Sequence, residues 1–158
     1  MKRIQPDWLT GLILFVLLAW MCSATPVYAD ETNIQWNSYN AGMEKIAQEN
    51  KKGFIHFYTD WCTYCKMMNR KTFSNDAVAT YLNQNFVPIR VNGDEQKSVT
   101  SDYGVNGFPS NWFIAEDQSD IGSRPGFIPA DIFLKMLKYV ESDSFKHMSF
   151  QDYVDNNS

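Results

Sequence analysis

Two cysteines three residues apart, Cys62 and Cys65, are the residues of this 158-residue chain best suited to covalent chemistry. They lie in Trp61-Cys62-Thr63-Tyr64-Cys65-Lys66, directly after the apolar and aromatic run at residues 54–59. On a helical turn this spacing puts both sulfurs on one face, within reach of a disulfide. A helix start at Cys62 surrounds the first sulfur with free backbone N–H groups. The helix dipole and the adjacent Lys66 then favour thiolate over thiol at Cys62, which becomes the attacking nucleophile. Cys65, one turn inside, is better shielded and suited to resolving a mixed disulfide.

Rival chemistries fit less well. A closed zinc site needs four ligands, and no second cysteine pair accompanies this one, while His56 and His147 stand alone. Haem attachment through C-x-x-C-H requires histidine where Lys66 stands. A purely structural disulfide spanning two intervening residues restrains little chain entropy. The pair therefore reads as a redox dithiol that needs no bound cofactor.

The compartment suits that reading. Lys2 and Arg3 precede an apolar run at residues 12–20, and Val27-Tyr28-Ala29 has the small-residue pattern of a signal cleavage site. Residues 1–29 are expected to be a signal peptide cleaved after Ala29, which places the protein in the periplasm or outside the cell. The alternative is an uncleaved membrane anchor, although the apolar stretch is short for a span. Cys22 leaves with the leader, so two cysteines remain in an oxidising compartment. Residues 30–158 carry 12 basic and 17 acidic side chains with no basic tract, which disfavours nucleic-acid binding.

The remainder alternates strand-like and helix-like segments, an α/β rhythm for one domain. Ile34 and Trp36 suggest a short strand, and residues 38–50 a helix carrying Met43, Ile46 and Ala47 and ending at Gly53. A strand buried on both faces follows at residues 54–59. The Cys62 segment reads as a helix to about Arg70 with Cys62 in its first turn, and Ser74 or Asn75 can cap another through Leu82. Residues 86–92 form the next strand, and Pro88 argues that it is an edge or irregular one. A short helix over residues 99–103 stops at Gly104, and strands at residues 112–114 and 121–124 pair through a turn. A strong helix over residues 129–140 presents Ile132, Phe133, Met136, Leu137 and Val140 on one face. A polar tail ends in a short helix capped by Ser149.

Residues 54–66 resemble the buried strand, W-C-x-x-C turn and helix of the thioredoxin superfamily, and Gly107-Phe108-Pro109-Ser110 matches its G-x-P-[TS] element. The resemblance implies a thioredoxin fold, a central mixed β-sheet flanked by helices, with Pro109 as a cis-proline facing the cysteines. It also implies that the backbone of Phe108 receives an extended substrate chain. Thr59-Asp60-Trp61-Cys62, residues 71–78 and Arg124-Pro125-Gly126-Phe127 look like the periplasmic carboxy-terminal domain of DsbD reductases and stand-alone exported thioredoxins. This likeness favours a reductase, with disulfide-containing exported proteins as substrates and a membrane protein as electron donor. Thr63-Tyr64 is neither the Gly-Pro of cytosolic thioredoxin nor the Pro-His of the oxidant DsbA.

Many members carry a buried acid six residues before the first cysteine, and this chain has His56 there. A hydrogen-bonded core histidine is the favoured reading over proton transfer to Cys65. Glu44 and Asp60 are acids near in sequence, with no catalytic role assigned. Trp61, Tyr64 and Phe108 could form an apolar contact surface for protein partners, with Trp112 in the core. The competing functions are an oxidant or isomerase, which differs in reduction potential, and a non-catalytic binding module using the Pro109 surface.

Overall fold

Six of the seven residues from Lys52 to Tyr58 are buried, and the strand they form, β1, is the axis of the molecule. A computed structural model describes residues 33–157, so the expected leader and Cys22 lie outside the described residues. β1 pairs in parallel with β2 (Phe86–Asn92) and antiparallel with β3 (Ser110–Ile114). β3 pairs antiparallel with β4 (Asp120–Pro125), giving the mixed order β2-β1-β3-β4. Side chains alternate across a strand, so Phe54 and His56 face one side and Ile55 and Phe57 the other.

Those two faces carry two cores. On the first, Phe54 and Phe113 pack with Phe73, Leu82, Phe133 and Leu137. Leu82 comes from α3 (Asp76–Asn85), and Phe133 and Leu137 come from α5 (Ala130–Glu141). On the second, Ile55, Phe57, Ile89 and Ile114 pack with Ile46 of α1 (Tyr39–Glu49) and with partly buried Val99 of α4 (Lys97–Asp102). Asn75 caps α3, accepting from the N–H groups of Ala77 and Val78. Ser149 caps α6 (Phe150–Asn156), accepting from Asp152 N–H at 3.2 Å. This helix rests on α5 through Tyr139, whose ring meets Phe150 and Tyr153.

Three sequence expectations need correction. Ile34 and Trp36 do not form a strand. Trp36 N–H turns back to Ile34 O at 3.0 Å, which breaks any ladder, and what remains is an isolated bridge between Asn37 and Ile89. Both side chains still reach the core, which is why they alternate like a strand. Helix α1 ends at Asn50, whose φ of +50° supplies the left-handed cap, while Gly53 sits inside β1. Ala47 is exposed. Pro88 does lie in an edge strand, and its carbonyl accepts from Asn37 N–H at 2.9 Å.

At the start of β1 the buried Lys52 ammonium meets Glu116 at 2.7 Å and Asp143 at 3.2 Å. One cation thus ties the sheet, the β3–β4 turn and the tail together. Lys52→Met should lower stability by about 1–2 kcal/mol in urea unfolding. That is less than the roughly 3–5 kcal/mol of a fully buried pair, because both carboxylates are more than a third exposed. Asp143 keeps its second partner, Lys146, in that variant, and an unchanged midpoint and slope would show that Lys52 contributes nothing net.

Candidate active site

The chain leaves β1 at Tyr58 and turns through Thr59, Asp60 and Trp61 into α2 (Thr63–Met68). Cys62 is the N-cap of α2 rather than a residue of its first turn, with extended dihedrals of −72° and 110°. Cys65 N–H donates to Cys62 Sγ at 3.1 Å, so an orphan donor of the helix start is aimed at the first sulfur. The two cysteines are joined as a disulfide with their Cα atoms 5.3 Å apart. Both cysteines are buried, Cys62 at 5% exposure and Cys65 at 2%.

The helix does not continue as α to Arg70. From Asn69 to Phe73 it widens into a π turn, in which Ser74 N–H reaches Asn69 O at 3.1 Å. Thr72 and Phe73 are both buried there: Thr72 Oγ1 donates to the carbonyl of Ile128, and Phe73 packs against Phe54 and Phe133. The extra residue in the turn lets both point inward, anchoring the cysteine helix to the loop before α5.

A second segment approaches from the other side of the sheet order. The Phe108–Pro109 peptide bond is cis, and Pro109 is buried immediately before β3. The Phe108 ring meets Trp61 edge to face at 6.1 Å. Gly93 makes this possible, because any Cβ there would run into the Phe108 ring. The neighbouring Asp94 accepts the Trp61 indole N–H at 2.9 Å. Trp61 is nonetheless 68% exposed and Tyr64 60%, the two largest apolar surfaces beside the cysteines.

His56 lies beneath, fully buried. Its Nδ1 is 2.8 Å from Asn111 Oδ1, and its ring stacks with Tyr58 and meets Phe73 edge on. Nε2 has no hydrogen-bond partner among the described residues. Burial, assisted by the nearby Arg90 charge and opposed by the Asn111 bond, lowers its pKa from 6.5 to about 3. A cleft of about 270 Å³ opens beside Cys65, lined by Tyr58, Thr59, Asp60, Lys66, Asn69 and Arg90. His56 does not line it. Arg90 sits 4.2 Å over the Tyr58 ring, between that cleft and the histidine's neighbours.

The structure thus brings Trp61 and Phe108 into contact beside Cys62, and places Cys65 and Lys66 on one cleft. Glu44 is exposed and bonded to Gln48 on α1. Asp94, Asn111 and Arg90 are site neighbours that the sequence reading does not single out. Asp94 follows Asn92-Gly93, a turn signal, but nothing local announces its indole partner 33 positions away.

The family model for the thioredoxin-like domain matches residues 39–141. The chain belongs to that family. This thioredoxin-like chain is 27% identical over 157 residues to the thiol:disulfide interchange protein DsbD of Photorhabdus laumondii, covering 87% of this chain and 27% of that protein. It spans less than half the length of the first curated relatives it matches. Among solved structures, a thioredoxin from Thermus thermophilus aligns with a TM-score of 0.63 and 26% identity, over 68% of this chain and 87% of that one. The reduced DsbD C-terminal domain of Neisseria meningitidis aligns with a TM-score of 0.54 and 28% identity, over 63% and 90%. The fold is α/β and thioredoxin-like, and the chain is a thioredoxin-like oxidoreductase family member with an intact Cys62–Cys65 pair.

Proposed function

We propose that the protein is an exported thiol-disulfide oxidoreductase that reduces protein disulfides through Cys62 and Cys65. The observation that carries this reading is the Cys62–Cys65 bond at a helix start, beside two exposed aromatic rings. In the reduced protein the Cys62 thiolate, accepting the Cys65 N–H, attacks one sulfur of a substrate disulfide. A Cys62–substrate bond forms, the substrate S–S bond breaks, and its other sulfur leaves as a thiolate that takes a proton. Cys65, once deprotonated, attacks Cys62 Sγ; the internal disulfide returns and the remaining substrate sulfur is released. A dithiol in a membrane donor then reduces the Cys62–Cys65 bond for the next cycle.

In this reading Trp61, Tyr64, Phe108 and Pro109 receive the substrate segment, and Lys66 favours the thiolate. His56 is a packing residue: with its pKa near 3 it is neutral at physiological pH and a poor proton acceptor. The Cys65 proton leaves instead through the polar cleft beside it. The leader-like pattern read in residues 1–29 and the likeness to DsbD support an extracytoplasmic setting with disulfide-bearing protein partners.

Insulin reduction by dithiothreitol should be accelerated, and equilibration with glutathione should place the pair nearer the about −270 mV of thioredoxin than the about −120 mV of DsbA. A potential at the DsbA end reverses the direction to oxidant. No acceleration, with a Cys62→Ser protein still holding its partner, leaves a binding module.

A further inference from the structure

A cavity of about 730 Å³ lies between β4, α5 and the tail, within the about 300–1,000 Å³ typical of small-molecule sites. None of Cys62, Cys65, Trp61, Tyr64, Phe108 or Pro109 lines it, so the dithiol chemistry does not account for it. Phe127, Ile132, Met136, Tyr139 and Phe150 supply apolar walls. Met136 adds an adaptable surface, and α6, which supplies Phe150, has no fully buried residue, so that wall can shift at small cost.

Two residues of β4 give the cavity its character. Gly122 pairs with Phe113, and a Cβ built on it meets nothing within 4 Å. The hollow therefore continues over a position where any larger side chain would enter it. Arg124, two residues on and on the same face of the strand, also lines the cavity. Its backbone carbonyl accepts from Asn111, but its guanidinium has no hydrogen bond or ion pair among the described residues. A groove with apolar side chains along its walls, beside an exposed and permanently charged planar fork without a protein partner, is complementary to a hydrocarbon chain with a planar anionic head.

We propose that this cavity binds a long-chain carboxylate, its alkyl chain against Phe127, Ile132 and Met136 and its head at Arg124. A single guanidinium balances one negative charge, and its parallel N–H groups match the two carboxylate oxygens, which favours a carboxylate over a doubly charged phosphate monoester. Binding here is independent of the redox reading and stands or falls separately from it.

Protein produced from the full chain and isolated without detergent is titrated calorimetrically with tetradecanoate below its micelle concentration, and in parallel with uncharged tetradecanol. Saturable one-to-one binding is expected. Gly122→Leu should weaken both ligands at least tenfold by filling the hollow. Arg124→Gln should weaken tetradecanoate about tenfold and leave tetradecanol within twofold. Should Gly122→Leu fail to fold, the exposed Arg124 position carries the comparison alone. Absence of saturable binding, parent-like binding of tetradecanoate by Arg124→Gln, or equal loss of acid and alcohol in that variant would each overturn the assignment.

Discussion

Cys65→Ala protein expressed in its host should accumulate in discrete dithiothreitol-sensitive adducts with other proteins, whereas Cys62→Ala and the double variant should trap little. The reason lies in the order of bond making. The first exchange joins Cys62 to the substrate, and that mixed disulfide normally vanishes when the second thiol attacks it. Alanine at 65 removes the attacking thiol, while the backbone N–H at 65 that points at Cys62 Sγ remains. The first step is preserved and the second is lost, so the intermediate persists. The expected enrichment is at least tenfold over the parent, and the adduct masses name the substrates and any membrane donor. Trp61, held by Asp94 against Phe108, presents a fixed surface, which predicts a few bands rather than a smear. Equal trapping by Cys62→Ala would reverse the assigned roles of the two sulfurs.

Acid should destabilise this protein through His56. Its folded pKa lies near 3, below the ordinary 6.5, because burial penalises the imidazolium. Between those values the unfolded chain binds a proton that the folded chain refuses. Stability contributed by the neutral ring is therefore complete above about pH 6.5 and falls as pH drops toward 3, with a slope of about 1.4 kcal/mol per unit. Glu116, lowered by its bond to Lys52, and Asp143, lowered by Lys146 and then by Lys52, add loss in the same direction at lower pH. Comparison with His56→Gln separates the contributions, since glutamine does not titrate. The parent and variant stabilities from urea unfolding should converge as pH falls from 7 to 4, and parallel curves would refute the linkage. At pH 7 the variant's rate of mixed-disulfide resolution per folded molecule should match the parent. A slower resolution step with unchanged initial attack would restore a proton-relay role.

Much of the architecture was legible because it follows from local periodicity. The α5 stripe, the buried β1 run and the caps at Asn75 and Ser149 are properties of neighbouring residues, and the cysteine pair announces its own chemistry. The features that were misread or left without a partner depend on contacts that local patterning does not encode. The π turn after α2 is fixed in part by Thr72 bonding Ile128, 56 positions along the chain. His56 is the hydrogen-bonded core histidine favoured from sequence, but its partner Asn111 lies 55 positions away and could not be named from the chain alone. The helix end at Asn50 was hidden by a nearby glycine with a different use: Gly53 lies in β1 close to the Ile46 side chain and leaves no space there for a Cβ. Trp36 imitates a strand residue because reaching a core and joining a ladder impose the same alternation on a short segment.

Proline at position 88 bears on how safely the chain folds in company. A growing sheet offers its outermost strand as a template on which a second, unfolded copy can build, and long, apolar, unprotected edges seed aggregates. β2 is such a strand, largely apolar and at the margin of the sheet. Pro88 removes one backbone donor from it, and Asn37 occupies the Pro88 carbonyl with both its main-chain and side-chain N–H groups. Asn37 O in turn accepts from Arg90 N–H at 3.1 Å, so a short irregular segment covers the stretch where another molecule would otherwise add. The segment before α1, too bent to be a strand, thus serves as a cover against strand-to-strand association.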